Sequence, residues 1–162
     1  MKDLVVDPSI VANLCCGIKH NIILSWKAAP VGFLKLNVDG AMLKNDLIGG
    51  IGGILRNSER KQLDIFFEPI RQGPPILDEL LALKYGLEAF SNLNSGLNMQ
   101  LIVECDNKVA VEWILNPMKF PSSFVSLVRI IAELIRTKNV LLRHILRVCN
   151  VDADVLAKKG IG

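Results

Sequence analysis

The stretch that decides the expected fold is Phe33-Leu34-Lys35-Leu36-Asn37-Val38-Asp39-Gly40. Apolar and polar residues alternate along it, and this period of two is typical of a β-strand. We therefore predict a strand with Leu34, Leu36 and Val38 on its buried face. Asp39 then lies at the far end of the strand, on the opposite face.

Two further strands are expected directly after this one. Residues 48–55 contain four glycines and little side-chain bulk, residues 57–60 have the composition of a turn, and residues 62–70 are again strand-like. Such short connections predict a three-stranded antiparallel meander. The glycines do not complete a dinucleotide-binding pattern, so we interpret them as bulges or as positions of close approach.

The pattern then changes to a period of 3.6 residues. It predicts a helix from about Leu77 to Asn92 with Asp78 and Glu79 in its first turn, where acidic residues complement the helix dipole. Residues 98–105 are short and mostly apolar, which predicts a strand that is buried on both faces.

Four more elements complete the chain. We predict a helix that begins after the cap Asp106-Asn107 and ends near residue 115, a helix over residues 124–137 and a strand over residues 139–146. A last helix over residues 152–159 is capped by Asn150 and ended by Gly160. The whole order predicts an α/β fold with a five-stranded mixed sheet, an antiparallel meander plus parallel strands, flanked by helices.

Length and composition limit the class of protein. The chain has 162 residues, is 51% hydrophobic and carries a formal net charge of +3, which fits one folded domain and excludes a disordered tail. We expect residues 1–30 to be an N-terminal lead-in or linker and residues 31–162 to form the domain. Basic residues outnumber acidic ones from Arg129 onward, which suits either contact with phosphates or solvated helix faces.

The cysteines and the apolar segments indicate an intracellular location, in the nucleus or the cytoplasm. The four cysteines form no CxxC pair and only two histidines accompany them, so neither a disulfide scaffold nor a structural zinc site is expected. Residues 10–24 are apolar but too short and too polar to span a bilayer, and we expect no membrane partner. No secretory signal is visible.

Four acidic residues stand where strands end or helices begin: Asp39, Glu79, Asp106 and Asp154. If the meander grows outward from the first strand, that strand neighbours the fourth, and Asp39 and Asp106 emerge at one edge of the sheet. Carboxylates that gather in this way repel each other unless a cation joins them. Oxygen ligands without histidine or cysteine favour Mg²⁺ or Mn²⁺, although acidic residues at helix starts are more commonly caps.

Five blocks of sequence resemble, in order, the RNase H-like domains (RNase H type 1, reverse-transcriptase-like) of plant retroelement reverse transcriptases and of related free-standing genes. They are residues 26–41, 49–56, 79–87, 103–107 and 144–160. The resemblance implies the RNase H-like fold. It also implies a metal-dependent endonuclease that hydrolyses the RNA strand of RNA/DNA hybrids.

The same resemblance places the catalytic and metal-binding positions of that family on Asp39, Glu79, Asp106 and Asp154. It implies two Mg²⁺ ions, with Mn²⁺ as a substitute. In this interpretation Asp39 bridges both ions, Glu79 and Asp106 hold the ion near the leaving 3′ oxygen, and Asp154 helps to hold the ion that activates water. The expected partner of this monomer is an RNA/DNA hybrid or another nucleic acid.

Some residues depart from the pattern of active relatives. We interpret His144 as a strand residue rather than a catalytic loop histidine, and Asp78 as a helix cap. Residues 116–121 carry one basic residue, Lys119, where some relatives have a basic protrusion. The weak basic platform and the irregular N-terminal residues 1–30 favour an alternative function, a non-catalytic, retroelement-derived module that binds nucleic acid or protein.

Overall fold

Five strands form one mixed sheet in the order β3-β2-β1-β4-β5. The computed structural model describes residues 25–43, 48–71, 73–93, 99–116 and 121–162. The strands are β1 (Phe33–Met42), β2 (Ile48–Arg56), β3 (Gln62–Arg71), β4 (Gln100–Cys105) and β5 (Leu141–His144). The first three are antiparallel neighbours, whereas β1–β4 and β4–β5 are parallel pairs. The predicted α/β fold with a five-stranded mixed sheet is confirmed.

The helices follow the predicted order. They are α1 (Pro75–Leu93), α2 (Lys108–Leu115), α3 (Val125–Lys138) and α4 (Val151–Ile161), with 3₁₀ turns at Ser122–Phe124 and Arg147–Cys149. The predicted cap of α2 is confirmed, because the Asn107 side chain accepts a hydrogen bond from the Ala110 amide at 3.0 Å.

Helix α4 does not end at Gly160, so that prediction is wrong. A Cβ atom at this position would lie 2.7 Å from the Glu68 carbonyl oxygen and 2.9 Å from that of Ile51. Glycine is required here because the helix packs against the backbone of β2 and β3, and the helix continues to Ile161.

The two faces of the sheet are covered differently. Helix α1 packs on one face and forms the apolar core with β1 and β4, the buried residues including Leu34, Leu36, Val38, Leu80, Leu83, Leu87, Leu101 and Val103. Helix α4 lies across β1, β2 and β3 on the other face. Its approach is close, since a Cβ atom at Gly52 would be 2.3 Å from the Ala157 nitrogen. The interpretation of the β2 glycines as positions of close approach is thus correct for Gly52.

The alternating run of β1 is buried on both faces rather than one. Leu34, Leu36 and Val38 are in the core as predicted, but Lys35 and Asn37 are also fully buried. Helix α4 covers this second face, and the Lys35 ammonium donates a 2.8 Å hydrogen bond to the Lys27 carbonyl. Polar side chains there are tolerated because each of them finds a partner.

Residues 25–30 lie beside this second face. The Trp26 ring stacks on the Arg56 guanidinium, with 3.6 Å between the carbon of that group and the ring centroid, and Ala29 is buried. Residues 1–24 lie outside the described part of the chain, so their role as a lead-in stays a prediction. Within the described ranges, no helix combines the length and the apolar character that crossing a bilayer requires.

Candidate metal centre

Three of the four predicted carboxylates converge at one edge of the sheet. Asp39, Glu79 and Asp106 each offer a carboxylate oxygen, and these three atoms lie within 4.8 Å of one another. Val38 and Cys105 are register partners in the parallel β1–β4 pair, so the residues that follow them emerge side by side. Glu79 reaches the same point because the first turns of α1 pack directly on Gly40, where a Cβ atom would be 2.8 Å from the Glu79 nitrogen.

The fourth carboxylate lies at the margin of this group. Asp154 is close enough to Asp39 for its charge to raise the pKa of that residue, but it is not one of the three mutually close carboxylates. Its Oδ2 atom forms an ion pair with the Lys158 ammonium at 2.8 Å. The structure therefore brings three of the predicted residues together and places Asp154 beside them, where it hydrogen-bonds to Asp39 and pairs with Lys158.

Burial and the neighbouring carboxylates raise the pKa values of Asp39 and Glu79. Burial raises the pKa of Asp39 to about 8, and the charges of Asp106 and Asp154 add to this rise. Burial likewise raises the pKa of Glu79 to about 9, with contributions from Asp39 and Asp106. The Gly40 amide opposes both shifts but does not cancel them. A protein with no bound cation thus holds protons in this group at neutral pH.

The donor set fits a hard divalent cation. It consists of carboxylate oxygens, the ligands that Mg²⁺ and Mn²⁺ prefer. The Oδ2 atom of Asp106 is buried and has no hydrogen-bond partner in the described ranges, so it has a free lone pair within the group. A cation would relieve the repulsion among the three groups and satisfy this atom.

His144 and Cys105 flank this group, the first at the end of β5 and the second at the end of β4. His144 is the last residue of β5, which confirms it as a strand residue, and its exposed ring places Nε2 3.2 Å from the Asp106 carbonyl oxygen. The Cys105 thiol is fully buried and faces Glu79 Oε2 at 3.9 Å, and burial raises its pKa. A thiol that resists ionisation is a packing group rather than a nucleophile.

The interpretation of Asp78 as a helix cap is wrong. Its side chain is 2% exposed, and neither carboxylate oxygen has a hydrogen-bond partner among the residues that the structure describes. Burial raises the pKa of Asp78 to about 6. A cap would need a backbone amide donor within hydrogen-bond distance, and the side chain faces β2 at Gly49 instead.

A network of buried polar side chains lies next to the candidate centre, and the sequence patterns do not predict it. The Asn37 amide donates to Glu104 Oε1 and to Asn150 Oδ1, each at 3.1 Å, and its oxygen accepts from Arg56 Nη2 at 3.1 Å. The other Glu104 oxygen lies 3.3 Å from the Lys35 ammonium. The available signal was the position of Asn37, which shares the face of β1 that carries Asp39.

Asn150 also differs from its prediction. It occupies the residue before α4, but its side chain makes no capping hydrogen bond to that helix. The side-chain amide instead donates to the Val38 carbonyl oxygen at 2.9 Å. Asn150 therefore joins the start of α4 to β1 beside the candidate centre.

Comparisons with known proteins agree with this architecture. The family model described as reverse transcriptase-like matches residues 37–160. Among curated proteins, none matches the sequence. LC11-RNase H1, isolated from compost by a metagenomic approach, is similar in structure, with a TM-score of 0.74, 22% identity, and coverage of 81% of this chain and 96% of that one.

Two more solved structures are comparable. LC11-RNase H1 in complex with an RNA/DNA hybrid has a TM-score of 0.72 at 22% identity and covers 79% of this chain and 96% of that one. RNase H1 from the halophilic archaeon Halobacterium salinarum NRC-1 has a TM-score of 0.70 at 20% identity, with coverage of 80% and 97% respectively. The fold is thus that of RNase H1, and the family match shows that the chain belongs to the reverse transcriptase-like family.

Proposed function

We propose that this protein is a metal-dependent endonuclease that hydrolyses the RNA strand of RNA/DNA hybrids. The observation that carries the proposal is the convergence of Asp39, Glu79 and Asp106 within 4.8 Å at the end of the β1–β4 pair. The fold supports it, because LC11-RNase H1, which shares that fold, binds an RNA/DNA hybrid.

In this proposal Asp39, Glu79 and Asp106 hold divalent cations, and Asp154 contributes from the margin of the group. Two such ions, when bound, supply positive charge to the attacking and leaving oxygens of an in-line phosphoryl displacement. The carboxylates supply rigid placement, since Asp39 is built into β1 and Glu79 into α1. Water attacks phosphorus and the bond to the 3′ oxygen breaks, which leaves a 5′-phosphate and a 3′-hydroxyl.

Substrate choice in this proposal rests on shape rather than on base identity. RNA is distinguished from DNA by its 2′-hydroxyl groups and by the geometry of the hybrid. The excess of basic residues from Arg129 onward favours a polyanionic partner. The resemblance of the sequence blocks also supports a plant retroelement origin, and the pattern of cysteines and apolar segments supports an intracellular location. We propose in addition that the protein acts as a monomer.

One observation favours the alternative of a non-catalytic binding module. Asp154 pairs with Lys158 at 2.8 Å and is not one of the three mutually close carboxylates, although its side chain also hydrogen-bonds to Asp39. If this ion pair persists when nucleic acid binds, the fourth position contributes little to metal binding. A Lys158→Met variant separates the possibilities, because it frees Asp154: an increase in cleavage rate indicates an enzyme that the ion pair restrains.

The proposal is tested with a panel of labelled duplexes of one sequence: an RNA/DNA hybrid, an RNA duplex and a DNA duplex. We expect cleavage of the RNA strand of the hybrid in Mg²⁺, little cleavage of the other two duplexes, and none after chelation. Hybrid binding that is equal in the wild type and in Asp106→Asn, with no cleavage by either, would establish the binding module instead.

A further inference from the structure

Residues that form or contact the buried polar network around Asn37 lie two positions before three of the candidate metal ligands in the sequence. Asn37 precedes Asp39 by two residues on β1, Glu104 precedes Asp106 by two residues at the end of β4, and Asp152 precedes Asp154 by two residues in α4. Residues two apart on a strand share a face. Asn37 therefore shares a face of β1 with Asp39, and Glu104 stands in the same relation to Asp106 at the end of β4. Asp152 and Asp154 belong to a helix, where residues two apart face different directions, so Asp152 reaches the network through its ion pair with Arg56 instead.

Asn37 connects the strands. Its amide donates to Glu104 on β4 and to Asn150 before α4, and its oxygen accepts from Arg56 on β2. Arg56 in turn pairs with Asp152 at 2.7 Å. Asn37 and Glu104 are both 0% exposed, so these bonds form away from water, where an unmade hydrogen bond is costly.

Asn150 connects the backbone next to Asp39 with the backbone of Asp154. Its side-chain amide donates to the carbonyl oxygen of Val38, the residue before Asp39. Its backbone carbonyl oxygen accepts from the Asp154 backbone amide at 3.1 Å, in the first turn of α4. One residue that is 1% exposed thus binds the backbone next to Asp39 and the backbone of Asp154.

We propose that Asn37 and Asn150 are positioning residues that set the spacing of Asp39, Asp106 and Asp154 and thereby the affinity of the centre for divalent cations. The proposal rests on the proposed function, because it presumes that the carboxylates bind metal. Loss of either asparagine leaves buried donors and acceptors unpaired and lets α4 shift against β1. Loss of a group that hydrogen-bonds a metal ligand weakens metal affinity by about 10–100-fold in other metal sites, and Asn37 and Asn150 act one residue further from the ligands, so we expect an effect at the lower end of that range.

The competing explanation is that the network only stabilises the fold. A matched control is Leu36→Ala, because Leu36 lies in β1 beside Asn37 and its apolar side chain, which has no hydrogen-bonding atom, is buried in the core on the other face. This variant loses stability, by about 2–5 kcal/mol for such a truncation, without touching the polar face. Comparison with Leu36→Ala therefore distinguishes the effect of lower stability on Mn²⁺ binding from the effect of displaced metal ligands.

The experiment is a calorimetric titration of the full chain with Mn²⁺ as the probe, together with thermal unfolding of each variant. We expect Asn37→Leu and Asn150→Ala to bind Mn²⁺ at least about tenfold more weakly than the wild type, and Leu36→Ala to stay within about twofold. Asn150→Ala decides the result if Asn37→Leu does not fold.

The outcomes separate the two proposals. Mn²⁺ affinities in both asparagine variants that match Leu36→Ala would overturn the positioning role and leave the proposed function intact. Failure of both asparagine variants to fold, while Leu36→Ala folds, would also overturn it, because the network would then serve stability alone. A wild type that binds no Mn²⁺ would overturn the proposed function together with the positioning role.

Discussion

Replacing Asp39 with asparagine is expected to stabilise the metal-free protein while removing its response to magnesium. In the folded chain the pKa of Asp39 is about 8, against 3.8 for an ordinary aspartate, because of burial and the neighbouring carboxylates. The folded state therefore loses stability as the pH rises from about 4 towards 8, since ionisation is easier in the unfolded chain.

The size of this effect follows from the same two values. At pH 7 the unfolded chain is about three pH units above the ordinary pKa, and each unit corresponds to about 1.4 kcal/mol, which gives an upper limit of about 4 kcal/mol. The asparagine amide is itself a buried polar group, which offsets part of the gain. We expect a net stabilisation of about 2 kcal/mol, or roughly 4–8 °C in the midpoint of thermal unfolding.

The assay is thermal unfolding at pH 7 with a chelator and then with excess Mg²⁺. The wild type should rise in midpoint when Mg²⁺ is added, whereas Asp39→Asn should start higher and not respond. Glu59→Gln is the control, because Glu59 is an exposed turn residue and should stay within about 0.5 kcal/mol of the wild type. An Asp39→Asn midpoint at or below that of the wild type in chelator would refute the reasoning.

Three further predictions concern the acidic group and the packing of α4. The unfolding midpoint of the metal-free wild type should fall as the pH rises from about 4 to 9, because Asp39 and Glu79 have raised pKa values in the folded state. Excess Mg²⁺ should oppose this fall. A midpoint that does not change with pH in the absence of metal would contradict the prediction. Gly52→Val should destabilise the protein by at least about 3 kcal/mol in urea unfolding, since its Cβ would be 2.3 Å from the Ala157 nitrogen, and an unchanged urea midpoint would place α4 elsewhere. Asp78→Asn should raise the unfolding midpoint at pH 7.5 but not at pH 4, because the pKa of Asp78 is about 6 and burial disfavours only its charged form. An equal rise of the midpoint at both pH values would show that the charge of Asp78 is not the cause.

The strands and helices were predictable because their periods and boundaries are local properties. The two-residue alternation around Leu36 and the Asn107 cap depend on neighbouring residues, and both predictions are confirmed. Gly160 was misjudged because a glycine near the end of a helix is usually a terminator, whereas here the backbone of β3 requires it.

The network around Asn37 was not predictable from alternation. A polar residue between apolar ones normally indicates a solvated face, and only the closeness of α4 reverses that meaning. The small residues at Gly52 and Ala157 were a usable signal, since a helix can approach a strand closely only where side chains are absent. Complementary partners such as Glu104 come from another strand, and local patterns do not identify them.

The closeness of Asp39, Glu79 and Asp106 is predictable from the sequence, whereas the placement of the side chains around them is not. Topology brings Asp39 and Asp106 together, since each follows one member of the Val38–Cys105 register pair in the parallel strands β1 and β4. The pairing of Asp154 with Lys158 and the isolation of Asp78 depend on rotamers and on packing between elements. These are tertiary properties, and spacing along the chain does not determine them.

The most direct measurement of the central claim is the single-turnover rate of RNA-strand cleavage in an RNA/DNA hybrid, with wild type and Asp39→Asn compared in Mg²⁺ and in Mn²⁺. We predict metal-dependent cleavage by the wild type that yields 3′-hydroxyl and 5′-phosphate ends, and no detectable cleavage by folded Asp39→Asn. A wild type that leaves the hybrid intact in both metals, or an Asp39→Asn variant that cleaves at the wild-type rate, would contradict the account.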